Sequence, residues 1–281
     1  MALCSTFVVA MTSPANIPKP VPNRPLGALD IADGALSILQ ARPRTVAGIA
    51  AAFVLPAQLI GSWLNRGLLG ALSFDNFDSE TGQFDGQEET FGLGGFGGSP
   101  VATVLSYLVL PFLGVALTHL VHGWRSGVDR STKDCLLFTM RRTHLILAAF
   151  LFGKLLQAVT LLLATPWLIL VAPIIAVEGL GPVAAIKRAF ELGRRRYGQL
   201  FVLCLLIVLI HVLLTYALLA LPVVGAFLLN DWGWVAFFAL NSIGSTVLNV
   251  LGVGAAVFAY FDVRDRTEGA DIAERIAAAR G

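Results

Sequence analysis

Lys154 is the residue whose type and place most demand chemistry. It stands near the middle of the apolar run from Leu145 to Leu163, where a lone charge costs at least about 2.5 to 3.5 kcal/mol on membrane-insertion scales. It therefore needs a partner or a path to water. Glu178 is the candidate partner if residues 145–180 fold as a hairpin; the alternative is a lysine that snorkels to the interface. Further along, Asn241, Ser245 and Asn249 recur every four residues and set a polar ladder on one helix face. Counting depth at about 1.5 Å per helical residue, Lys154, His211, Ser245 and Asn249 can converge on one midplane pocket suited to a lipid or small polar solute. The competing reading is a set of interhelical hydrogen bonds that hold a bundle together, each worth about 0.6 kcal/mol.

Other constellations are weaker. His119 and His122 are one turn apart, a spacing two metal ligands can share, but no Cys or carboxylate stands nearby in sequence and interfacial polar residues are the expectation. The acidic stretch containing Asp75, Asp78, Glu80, Asp85, Glu88 and Glu89 lacks the ordered spacing of a calcium loop. It reads as a solvated loop. Cys4, Cys135 and Cys204 form no disulfide or zinc pattern. No nucleophile elbow, metalloprotease helix, phosphate loop or dinucleotide fingerprint occurs, so no catalytic residue, metal or cofactor is expected.

The elements that must position these groups follow from composition. The chain is 56% hydrophobic and 14% charged, with a mean hydropathy of +0.76, far from the roughly one-quarter charged balance of soluble domains. Its solvent is lipid, and a nucleic-acid partner is not indicated. Of the 20 Lys and Arg residues all but Arg66 and Lys154 fall into four clusters separated by apolar stretches. Positive charge concentrated in alternate loops is the signature of a polytopic protein with those loops in the cytoplasm. The spans read about 46–64, 101–121, 145–164, 167–180, 198–220 and 235–258, with an outer acidic loop over 67–100. Residues 1–24 read as a disordered tail in which Met1 and Met11 both fit as the start, 25–262 as the membrane domain, and 263–281 as a cytoplasmic tail. The expected fold is all-α, with about six transmembrane helices as three helical hairpins joined by short interfacial helices.

The pair 145–164 and 167–180 is the tightest part of that scheme. Two helices in so few residues reach slightly less than the hydrocarbon core of about 30 Å, so a thinned double crossing and a re-entrant loop both fit. Basic residues flank the segment on both sides, and Arg141, Arg142, Lys187, Arg188, Arg194, Arg195 and Arg196 are expected at anionic lipid headgroups, at about 1 kcal/mol each near the surface. A weak internal repeat supports the three-unit scheme: Leu26-Gly27, Ala35-Leu36, Ile38 and Arg42 match Leu180-Gly181, Ala189-Phe190, Leu192 and Arg196. The segment Lys133 to Arg142 reads as a degenerate third copy.

Several motifs resemble a known family. The run Arg24-Pro25-Leu26-Gly27 with Ile31 and Asp33-Gly34-Ala35, the segment Ala172-Pro173 through Glu178-Gly179-Leu180-Gly181-Pro182 with Ala185, Arg188 and Arg194, and Tyr260 to Arg264 resemble actinobacterial membrane proteins of the glycerophosphoryl diester phosphodiesterase membrane-domain type. The likeness covers Arg24 to Arg264, and its motifs are topological. In that family the catalytic part, where present, is a separate soluble barrel with paired His and carboxylates, to which nothing here corresponds. The resemblance therefore implies a membrane domain and no activity. The expectation is a non-catalytic accessory or scaffold of the bacterial plasma membrane, with both termini cytoplasmic and membrane lipids as its partners. The alternatives are a carrier or channel for a lipid or small polar solute and, second, an enzyme of lipid metabolism.

Overall fold

The computed structural model describes residues 28–66, 77–78, 83–84, 100–160, 162–228 and 232–269. The expectations for the N-terminal tail, for most of the acidic loop and for residues beyond 269 lie outside them. Within the acidic loop, Phe77–Asp78 pairs antiparallel with Gln83–Phe84. All other regular structure among the described residues is helical.

The helices fall into three units, each opened by a short helix. α1 (Ala28–Ala41) leads into α2 (Pro43–Leu64) and α3 (Pro100–Arg125). α4 (Thr132–Arg141) leads into α5 (Thr143–Val159), followed by the short α6 (Thr165–Leu168) and α7 (Val171–Val177). α8 (Pro182–Gly193) passes through a 3-10 turn at Arg194–Arg196 into α9 (Tyr197–Leu228) and α10 (Gly233–Glu268). Local chemistry sets the starts and stops. Pro43 and Pro182 stand at the first helical position, where the missing N–H has no partner to lose. α4 opens with a capping box, Ser131 Oγ accepting from the Asp134 N–H and Asp134 Oδ2 accepting from the Ser131 N–H, both at 3.2 Å. α10 ends at Gly269 with φ +62°, a left-handed cap that favours glycine.

Among the described residues four helical stretches, at α2, α3, α8–α9 and α10, are long and apolar enough to cross a membrane, and the α4–α5 pair, bent by 65°, is one further candidate. The last two outrun the predicted boundaries. α9 continues through Pro222 to Leu228, and α10 runs 36 residues, about 54 Å at about 1.5 Å per residue. Its final turns therefore extend past the hydrocarbon core and carry the charged residues Asp262 to Glu268.

Small residues bring the units together. α1 lies against α10, where a Cβ on Gly34 would fall 2.9 Å from the Phe258 ring and one on Gly254 would fall 3.1 Å from Ala35. The face of α1 carrying Ile31, Ala35 and Ile38 is buried. Ion pairs then join the basic clusters at one end of the bundle. Arg42 meets Asp129 at 2.8 Å, Arg125 grips Asp265 with two bonds of 3.1 and 3.2 Å, and Arg188 meets Glu178 at 3.0 Å and also Glu268.

The middle unit departs from the six-span expectation. α5 has 17 residues, and the returning leg Thr165–Val177 is shorter still. Its base is held at the basic end, where Arg142 donates to the Ile175 carbonyl. Its tip is held there too. Tyr197, which follows Arg196, donates its hydroxyl to the Leu163 carbonyl at 3.2 Å, and the Trp167 ring packs 4.3 Å from Phe190 and 4.7 Å from Tyr197. Base and tip of the hairpin are therefore both tied to the basic end.

The turn at the tip, apolar in its surroundings, bonds its own backbone. The Leu162 N–H donates to the Gln157 carbonyl at 3.0 Å, Leu163 to Thr160 at 3.0 Å, and Thr165 to Leu162 at 2.9 Å. Leu162 takes a φ of +71° to do so, at a cost of roughly 1–2 kcal/mol for a residue with a Cβ. The apolar side chains at the tip, Val159, Leu162 and Leu163, remain exposed.

Candidate functional site: an intramembrane cleft

The middle hairpin and the long helices leave a cleft between them. α5, α6 and α7 line one side, and α3, α9 and α10 the other, around a cavity of about 540 Å³. That lies within the roughly 300–1,000 Å³ of small-molecule sites. Most of the wall is apolar, with Pro111, Phe150, Leu168, Ile207 and Val253 among its residues. Lys154, Gln157, Thr165, His211 and Asn249 supply polar groups. Lys154, Val208, His211 and Val212 are exposed, so the cleft opens sideways between α5 and α9.

Lys154 points its amine at aromatic faces, 4.5 Å from the Tyr107 ring centroid and 5.7 Å from that of Phe150. Such contacts are worth about 0.5–1 kcal/mol at exposed sites. Among the described residues it has no carboxylate partner. The expected pairing with Glu178 is not made, because Glu178 ends α7 at the basic end of the bundle. There it accepts from Arg188 Nε and from the Tyr260 hydroxyl, each at 3.0 Å.

The predicted polar ladder borders a second, smaller cavity of about 210 Å³ that shares Tyr107, His211 and Asn249 with the first. Asn241 and Ser245 line it and are joined by a residue that sequence reasoning missed. Asn241 Nδ2 donates to Gln58 Oε1 at 2.9 Å, and Gln58 Nε2 donates to Ser245 Oγ at 3.1 Å. A signal for Gln58 was present: it is an amide inside the first span, two residues after Pro56. Of the predicted group, the larger cavity gathers Lys154, His211 and Asn249, and the smaller one His211, Asn241, Ser245 and Asn249. Glu178 borders neither.

The predicted headgroup contacts also divide. Arg141, Lys187, Arg194 and Arg195 are exposed at the basic end. Arg142 and Arg188 turn inward, the first over the Phe138 ring at 4.3 Å and the second onto Glu178. Arg196 donates to Gln199 Oε1 at 3.3 Å.

His119 is buried, stacks on Phe138 at 3.6 Å and faces the Arg130 guanidinium. Among the described residues no three His, Cys, Asp or Glu side chains gather to hold a metal ion. Cys135 is buried in α4, which pushes its thiol up to about 12. No protein-family model, curated protein or solved structure matches the chain.

Proposed function

We propose that this is a non-catalytic lipid-binding protein of the bacterial plasma membrane, serving lipid or envelope physiology with its basic end in the cytoplasm. The observation that carries the reading is the cavity of about 540 Å³, mostly apolar and open sideways between α5 and α9. A hole of this kind beside hydrocarbon is filled by an acyl chain, because an apolar surface has nothing to gain from water. The ion pairs that gather the basic clusters at one end support the orientation, by the positive-inside rule. The resemblance to a membrane domain named for lipid-derived phosphodiesters is in keeping with the same role.

The test is mass spectrometry of the intact protein released from mild detergent, with extraction and identification of retained lipid. Wild type is expected to retain lipid, and Ala256→Phe, which puts a ring into the cavity beside Gly252 and Val253, is expected to lose it. Equal retention by the two proteins overturns the reading.

A carrier is the second reading, and one observation favours it. Among the described residues the side chains of His211 and Asn249 make no hydrogen bond and Lys154 no ion pair, which leaves polar groups in the cleft for a passing ligand. Single cysteines at 154, 211, 241, 245 and 249, probed with an impermeant thiol reagent, test for the water path that a carrier needs.

A further inference from the structure

We propose that the cleft selects an anionic phospholipid with an uncharged, hydroxyl-bearing head, bound with its head toward the end of the bundle opposite the basic clusters. This rests on the lipid-binding reading and adds the ligand's chemistry and direction.

Three regions occur in order along one path. The larger cavity is apolar and suits a chain. At its far side stands Lys154, a cation with only ring faces for company among the described residues, whose Tyr107 contact belongs to a residue that borders both cavities. Beyond Tyr107 the smaller cavity presents amides and hydroxyls from Gln58, Ser106, Asn241 and Ser245. Among the described residues that line it there is no carboxylate, Lys or Arg. Thr215 also borders it and holds a buried hydroxyl oxygen with no hydrogen-bond partner.

Each region names a part of the ligand. An amide and hydroxyl lining both donates and accepts, which matches alcohol groups and offers nothing to an ammonium head. A lone cation in a low-dielectric site asks for a negative charge. A negative charge that lies between a chain and an alcohol-bearing head is a phosphate joined on both sides. Direction follows from position. Gln58 lies near the Leu64 end of α2 and Asn241 near the Gly233 start of α10, both remote from Arg42, Arg125 and Arg188.

The test is competition for the purified protein among four lipids with the same chains, read by mass spectrometry of the intact complex. They are phosphatidylglycerol, phosphatidylethanolamine, phosphatidic acid and glucosyl diacylglycerol. Phosphatidylglycerol is expected to win over each by on the order of tenfold. Lys154→Met is expected to erase its advantage over the uncharged glycolipid, and Lys154→Arg to keep it. Gln58→Leu is expected to erase its advantage over phosphatidic acid, with a thermal melt confirming that each variant is folded.

Equal retention of all four lipids by wild type, with binding still lost in Ala256→Phe, overturns the selectivity and leaves the lipid-binding reading standing. A preference that survives Lys154→Met and disappears in Arg194→Ala/Arg195→Ala also overturns it, because the lipid is then held at the basic face. Retention of none of the four overturns both readings.

Discussion

The basic end of the bundle and the cleft use the same kinds of side chain in opposite ways. At the basic end Arg42, Arg125, Arg188, Arg264 and Arg266 each meet a carboxylate, and glycines there let helices approach until a Cβ has no room. Around the two cavities, among the described residues, Lys154 meets only rings, Thr215 holds a buried hydroxyl without a partner, and space is left between helices. Charges that are paired and packed hold the fold together; charges left beside a cavity serve something that comes and goes. The contrast teaches that polarity inside a membrane protein marks function only where the neighbours have not consumed it.

The contrast is breakable, and the largest effect is expected at the paired end. Arg188→Ala removes the partner that Glu178 and Glu268 share, leaving the first with the Tyr260 hydroxyl and the second with Arg264. It should cost about 2–3 kcal/mol, between an exposed pair and a fully buried one, read as a fall in the melting temperature in detergent. A drop no larger than that of an exposed pair, about 0–1 kcal/mol, would remove the claim that this end is structural. Next comes Gly254→Leu, which drives a side chain into Ala35 on α1, 3.1 Å from where its Cβ would sit. A loss of about 2 kcal/mol is expected from overpacking, with α1 becoming more open to proteolysis.

Lys154→Met should move stability the other way. Removing a charge that costs about 2.5 to 3.5 kcal/mol in the membrane, less about 0.5–1 kcal/mol of ring contact, should stabilise the protein in nanodiscs by roughly 1.5–3 kcal/mol. A destabilised variant would mean that Lys154 belongs to the packed half after all.

The smallest effect is at the α4 capping box, outside the spans. Hydrogen bonds from the Ser131 side chain and backbone hold the exposed Asp134 carboxyl below its ordinary value. A carboxyl depressed in the folded state contributes stability above its unfolded value near pH 4, and that contribution is lost as the pH falls through the folded value. Acid melts of wild type and Asp134→Asn should differ by about 0.5 kcal/mol at neutral pH and converge below pH 4. A constant gap would mean that the charge contributes nothing.

Much of this was legible in the chain. The helices α2 and α3 lie where hydropathy puts apolar segments, and the three short helices that open the units were visible as a faint repeat ending in Arg42, Arg142 and Arg196. The polar ladder of Asn241, Ser245 and Asn249 does border a cavity. What escaped was partnership. Glu178 was matched with Lys154 because both interrupt one apolar segment, yet Tyr260 and Arg188, distant along the chain, reach it first. Gln58 escaped because its partners are 183 and 187 residues away.

The sequence by itself determined the solvent, the long apolar helices and the segregation of positive charge to one end. Hydropathy and charge are sums along the chain, and they need no knowledge of what touches what. Where the ends of residues 145–180 are tied is a matter of tertiary contacts, because an apolar hairpin and two short spans have the same composition and differ only in that. The bonds from Tyr197 to Leu163 and from Arg142 to Ile175 tie both ends to one side. Between that hairpin and the long helices lies the cleft, a property of surfaces that fail to meet.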